Sequence, residues 1–263
     1  MGSDGVKDLF AIEGKTALVT GGSRGIGAMI ARGYVESGVK TYICARKAEE
    51  LQATAEELCK YGECVAVAAD LSSVDGVKAL ASQLSAAEKQ LDILVKNAGA
   101  TWGAPVDEFP ESGWDKIMDL NVKATFFLTQ QLLPLLRSAA NAEDPARVIN
   151  ISSINALRYP QADNFSYSAS KAAVLMLTQH LSATLCAEHI NVNAIAPGLF
   201  PSNMTAFMLN DASLRQQVHA RIPMGRMGDL QDIAGTAIYL ASRASAYVSG
   251  SCIVVDGGIV ASV

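Results

Sequence analysis

The sequence predicts an α/β fold, a single doubly wound parallel sheet of seven strands with helices on both faces. Three observations predict it: short β-branched apolar runs recur seven times, helical patterns lie between them, and 50% of the 263 residues are hydrophobic against 18% charged. Parallel strands covered on both faces read as continuous apolar runs, and each needs a crossover helix to return to the same edge. A chain this long can bury a large core in one domain, and no Pro/Gly/Ser linker, repeat or low-complexity tract divides it. One domain over 1–263 is therefore expected.

The strands are expected at 16–20 (TALVT), 40–45, 64–69, 91–95 (LDILV), 147–152 (RVINIS), 190–196 and 252–255. The first runs straight into Thr20-Gly-Gly-Ser-Arg-Gly-Ile-Gly27 and a helical stretch over 28–37. Glycines permit a tight turn and let the backbone approach a pyrophosphate, whose charge meets free N–H groups at the positive helix end. A glycine turn alone suits many loops, but at the first strand of a βαβ series the nucleotide reading is favoured. The second strand ends Ile43-Cys44-Ala45-Arg46, where an NAD site would carry an acidic residue for the ribose hydroxyls. Arg46 would instead pair with the 2'-phosphate of NADP, with Arg24 in reach of the same group and Lys47 as a helper, so NADP(H) is expected. A merely solvated Arg46 is the alternative. Asp70 closes the third strand, either as an adenine-side residue or as the N-cap of the next helix.

Tyr167 and Lys171 stand four residues apart at the start of the apolar helical pattern over 165–188, which places them on one face. Such a pair also occurs on solvated surfaces. Its chemical reading is that the ammonium favours the phenolate: at roughly 5 Å and an effective dielectric of about 20 the attraction is about 3 kcal/mol, worth about two pKa units. Burial opposes this. Ser153 falls at the end of the fifth strand, with Ser152 turned to the other face by strand alternation. Ser166, Ser168 and Ser170 surround the tyrosine, yet none of them lies in a G-x-S-x-G elbow and no His lies close in sequence, which disfavours serine hydrolysis there. The irregular segment 198–226, with Phe200, Met204, Phe207, Met208 and Leu209, reads either as an apolar lid over a substrate or as a packed surface helix.

Other classes are disfavoured by composition. A net charge of -5 and a pI near 5.3 give no field for nucleic acid. Five scattered cysteines without a CxxC pair, and three histidines (His180, His189, His219) with no i to i+4 spacing, argue against a disulfide framework or a metal site and suit the reducing cytoplasm. No run approaches 18 apolar residues, and the first residues carry no signal or myristoylation pattern, so no membrane attachment is expected.

Read in order, TGGSRGIG at 20–27, NAG at 97–99, Asn121 in DLNVKA, Ser153 in NISS, Tyr167 and Lys171 in YSASK, Pro197-Gly198 and VDGG at 255–258 resemble the short-chain dehydrogenase/reductase family over residues 14 to 258. The resemblance implies a Rossmann-type fold. For the dinucleotide it implies Gly21, Ser23, Arg24, Gly25, Ile26 and Gly27 at the phosphates, Arg46, Asp70 and Leu71 at the adenosine, and Asn97, Ala98 and Gly99 alongside. Pro197, Gly198 and Ser202 would meet the nicotinamide, and Tyr167 and Lys171 its ribose. Catalysis would fall to Asn121, Ser153, Tyr167 and Lys171: the phenol gives a proton to a carbonyl oxygen as hydride arrives, the serine bonds the same oxygen, and the asparagine holds a water in the relay from the lysine.

Two departures stand out. Lys96 replaces the first asparagine of the family's NNAG, and Ser153 precedes Tyr167 by fourteen residues where thirteen is common. A lysine there either disturbs the bonds between sheet and loop or snorkels outward. PMGRMG at 223–228 and the catalytic motifs look like the 3-oxoacyl-(acyl-carrier-protein) reductase branch, including reductases of fatty acid and rhamnolipid pathways, which implies a 3-oxoacyl substrate linked to a carrier protein or to CoA. Sugar, polyol and xenobiotic ketone reductases share nearly all these motifs, and a non-catalytic NADP(H)-sensing protein is the alternative of another class. The family commonly builds homotetramers from the helices over 111–137 and 165–188, and the latter is apolar on more than one face, which a subunit contact or an intramolecular core could bury.

Overall fold

The computed structural model describes residues 5–160, 162–202 and 212–262. Seven parallel strands form one sheet: β1 (Thr16–Thr20), β2 (Lys40–Ala45), β3 (Cys64–Ala68), β4 (Ile93–Lys96), β5 (Ala146–Ile151), β6 (Ile190–Pro197) and β7 (Cys252–Val255). Their spatial order is β3-β2-β1-β4-β5-β6-β7. The chain winds outward from β1 to β3, then crosses back to lay β4 on the other side of β1. That reversal opens a crevice above the carboxyl ends of β1 and β4, where ligands of such sheets bind.

Helices cover both faces because alternate side chains of every strand need burial. On one face α1 (Gly25–Glu36), α2 (Ala48–Leu58) and the late helix over Leu230–Ala241 pack Ile30, Tyr34, Leu51 and Ile233 onto Val19, Ile43, Ile93 and Val95. On the other, α3 (Val74–Ala87) and α5 (Ala124–Ala139) pack Leu80, Leu84, Leu128 and Leu132 onto Leu18, Leu94 and Val148. Each such side chain contributes roughly 1.5–3 kcal/mol through burial. β1 is buried at every position, as an apolar run of this kind demands.

The expected strands hold to within a residue or two, and the largest shift matters. β4 begins at Ile93 rather than at residue 91, because Leu91 donates to the Leu135 carbonyl and Asp92 accepts from the Thr16 amide. The strand also ends one residue later than expected, which places Lys96 within it. The helix expected over 111–137 is interrupted: α4 (Glu111–Met118) passes into a π turn over Asp119–Lys123 before α5 resumes. The next helix, α6 (Phe165–Leu185), ends in a 3-10 turn over Cys186–Glu188, closed by His189 in the left-handed region at φ 58°. Among the described residues two further α-helices precede β7, α7 (Ala212–Ala220) and α8 (Leu230–Ala241).

Of the expected lid residues, Phe200 is 3% exposed and belongs to the core beneath the crevice, where a β-carbon on Gly228 would lie 2.3 Å from its ring. Met204, Phe207, Met208 and Leu209 lie outside the described residues.

Candidate active site

The glycine turn is folded by its neighbours as much as by its own glycines. Gly21 and Gly25 adopt φ of +65° and +55°, the left-handed region that a side chain resists. The hydroxyl of Thr20 accepts from the amides of Asn97 and Ala98, both at 3.0 Å, and the Asn97 amide group donates to the carbonyls of Thr20 and Gly21 at 3.0 and 3.1 Å. The ends of β1 and β4 are thereby stapled together. Gly27 stands behind the turn rather than on the crevice wall: a β-carbon there would lie 2.2 Å from the Gly21 carbonyl oxygen, so the residue serves close packing. No side chain caps the start of α1, whose first N–H groups remain for an anion.

A crevice of about 590 Å³ runs from this turn to the end of α6. Its wall includes every residue expected to hold a dinucleotide except Gly27. Arg46 is exposed at one end and forms no ion pair among the described residues. Arg24 does not stand open. Its guanidinium is held by the Glu50 carboxylate at 3.0 and 3.2 Å, with the Lys47 ammonium 3.9 Å from the same group. Asp70 accepts from the Ser72 amide at 3.0 Å while Ser73 caps α3, so the N-cap alternative for Asp70 falls away. The bond from Ser72 and the nearby Arg46 charge hold its carboxyl below the ordinary range. An uncapped helix start, a glycine cradle and an unpaired arginine form a set of donors that fits the phosphates of a dinucleotide.

At the opposite end β5 delivers Ser153 and α6 delivers Tyr167 and Lys171 to the same wall. Ser152 turns away and donates to the Lys171 carbonyl at 2.9 Å, as strand alternation requires. The Lys171 ammonium is 5% exposed, donates to the Ile151 carbonyl at 2.8 Å and lies 5.7 Å from the centre of the Tyr167 ring. Burial pushes it down to about 8. Burial also raises the Tyr167 phenol above its ordinary value, against a smaller downward pull from its hydrogen bond with Ser153. The net shift in the free protein is therefore upward, set by loss of solvent, and not the drop expected from the lysine charge.

Asn121 does not reach the wall. It is 1% exposed, behind Gly99, where a β-carbon would come within 3.1 Å of its Oδ1 and 3.6 Å of Lys171 Nζ. Its side chain accepts from the Ala100 amide at 2.9 Å and donates to the Ala100 carbonyl at 3.0 Å and the Ser170 hydroxyl at 2.9 Å. Ser170 in turn donates to the Tyr167 carbonyl at 2.7 Å. The π turn carrying Asn121 is therefore bonded to the turn of α6 that carries the tyrosine. Sequence reasoning missed Thr20, Glu50 and Ser170 as working parts, since each acts on a residue brought to it by the fold.

Comparison with known proteins agrees with this geometry. The family described as enoyl-(acyl carrier protein) reductase matches residues 21–260, and the chain belongs to the short-chain dehydrogenase/reductase family. It is 51% identical over 249 residues to the rhamnolipids biosynthesis 3-oxoacyl-(acyl-carrier-protein) reductase of Pseudomonas aeruginosa, covering 95% of this chain and 97% of that protein. The NADP active-site complex of Pseudomonas aeruginosa RhlG superposes with a TM-score of 0.94 at 50% identity, over 96% of this chain and 99% of that one. A 2-dehydro-3-deoxy-D-gluconate 5-dehydrogenase of Dickeya dadantii is 37% identical over 96% of this chain and 98% of its own length.

Proposed function

We propose that this protein is an NADP(H)-dependent ketone reductase, one catalytic domain over 1–263, whose substrate is a 3-oxoacyl thioester carried by CoA or a carrier protein. The observation that carries the reading is the meeting of Ser153, Tyr167 and Lys171 at one end of a crevice whose other end is an uncapped glycine turn. A bound nicotinamide dinucleotide would supply the hydride. Ser23, Gly25 and Ile26 would hold its pyrophosphate, Arg46 its 2'-phosphate, Asp70 and Leu71 its adenosine, and Lys171 the ribose nearest the reaction.

The chain's own residues do the acid-base work. Tyr167, kept protonated by burial, gives its proton to the carbonyl oxygen of the substrate, while the Ser153 hydroxyl donates to the same oxygen and spreads the charge developing there. Lys171 faces the phenolate left behind and favours its formation at that moment. Asn121 anchors the path along which a proton returns to the tyrosine. A carrier-linked 3-oxoacyl group is supported by the relative at 51% identity, whereas the sugar dehydrogenases stand at 37% and below.

We further infer a cytoplasmic homotetramer. No helix among the described residues is long and apolar enough to cross a membrane, and all five cysteines are free. Trp114 and Phe126 on α4 and α5, with Phe165 and Met176 on α6, leave large apolar side chains in solvent on the helices expected to pair; Met176 is 64% exposed. Oxidation of NADPH and NADH by purified protein against acetoacetyl-CoA, acetoacetyl carrier protein, keto-sugars and simple diketones tests cofactor and substrate together. Turnover of the thioesters with NADPH is expected. Turnover of keto-sugars alone transfers the protein to the sugar branch, and tight NADPH binding with no turnover leaves a sensor.

A further inference from the structure

Two lysines are buried among the described residues, Lys171 at 5% exposure and Lys96 at 4%. The first belongs to the site; the second is unexplained. Lys96 does not snorkel outward. It ends β4 beside Thr20 of β1 and Asn150 of β5. Its ammonium donates to the Thr125 carbonyl at 3.0 Å and to the Thr129 hydroxyl, both on the first turns of α5. The Thr129 hydroxyl donates onward to the Thr125 carbonyl at 3.0 Å, and the Thr125 hydroxyl donates to the Asn121 carbonyl at 2.8 Å. A continuous bonded path thus joins the end of β4 to the π turn.

The surroundings make the amine costly. A cavity of about 10 Å³, room for about one water, lies beside it, walled by Thr20, Leu71, Ala98, Leu120, Ala124 and Leu128. None of these groups is titratable, nor are Asn150, Thr125 and Thr129, so no carboxylate offsets the charge. Burying an ammonium without a counter-ion is strongly unfavourable, and a methionine of similar length would fill the space without that penalty. Packing alone does not account for the lysine. A π turn breaks the regular ladder of backbone bonds and leaves the helix register to be held from outside.

We propose that Lys96 is a positioning residue: its amine anchors the first turn of α5 to the end of β4 and so fixes the π turn that presents Asn121 behind Gly99 and Lys171. The inference rests on the reading of Asn121 as part of the proton path. Because Lys96 adjoins the Asn97 staple, it also ties that path to the strand end that shapes the glycine turn.

The test uses Lys96→Met and the isosteric Thr129→Val, which removes one acceptor and preserves the fold if the lysine variant does not. Amide hydrogen exchange over residues 119–129 should quicken about tenfold or more in either variant while β1 and β4 stay protected. With NADPH and acetoacetyl-CoA, kcat should fall about 5- to 30-fold with the KM for NADPH within about twofold of wild type. In an Asn121→Ala background the same change should cost less than about twofold, since its effect passes through Asn121. Unchanged exchange in both variants overturns the proposal, as does an undiminished penalty in the Asn121→Ala background. A wild-type protein that reduces no carbonyl overturns the proposed function instead, and the exchange result still decides the tether.

Discussion

The ammonium of Lys171 lies 5.7 Å from the centre of the Tyr167 ring, on the same helix face and in the same crevice wall. Neither group is in its ordinary state. Burial drives the lysine toward its neutral form and the phenol toward its protonated form, so the free protein holds an acid ready to donate rather than a phenolate.

The pH dependence of stability follows from the two buried lysines. Lys96 is pushed down to about 7 and Lys171 to about 8, both from an ordinary 10.5. Below pH 7 the folded and unfolded states both carry the charges, and the burial penalty is present in full. Between pH 7 and 8 the unfolded chain still binds protons that the fold releases, so stability should rise with pH, by at most about 1.4 kcal/mol per unit for each lysine. Urea unfolding at pH 6, 7 and 8 checks the sign, and Lys96→Met should flatten the slope.

Cofactor choice should rest on Arg46 more than on Arg24, whose guanidinium is occupied by Glu50. Losing one charge-assisted phosphate bond of about 1.5–3 kcal/mol corresponds to roughly 10- to 150-fold. Arg46→Asp should lower kcat/KM for NADPH by that much and leave NADH little changed. Glu50→Gln should free Arg24 and lower the KM for NADPH a few fold. Steady-state kinetics with both cofactors decides each point.

Thr20 should matter although it faces neither cofactor nor substrate in the proposed roles. Thr20→Val keeps the shape and leaves the part-buried amides of Asn97 and Ala98 without their acceptor, at a cost below the about 1–3 kcal/mol of a fully buried unpaired donor. Thermal unfolding should show the loss, and the KM for NADPH should rise because the glycine turn is no longer stapled to β4.

The parts of this site that could be read in the sequence are those whose geometry is local. A four-residue spacing on a helix places Tyr167 beside Lys171 whatever the rest of the chain does, and a strand followed by glycines and a helix forms the same turn in any parallel sheet. Non-local parts were hidden. Glu50 reaches Arg24 only because α2 folds back beside the turn, and Ser170 meets Asn121 only because α6 lies against the π turn. The π turn itself carries no residue signal, so 111–137 reads as one helix. Lys96 was visible as a departure, but whether a lysine points out or in depends on which face of β4 the following helix covers.

The account depends most directly on Tyr167 as the proton donor. The measurement is carbonyl reduction by Tyr167→Phe with acetoacetyl-CoA and NADPH, alongside NADPH binding by fluorescence. The phenylalanine should bind NADPH as wild type does and reduce the carbonyl about 10²- to 10⁴-fold more slowly, the share of a positioned acid. Turnover at the wild-type rate would contradict it.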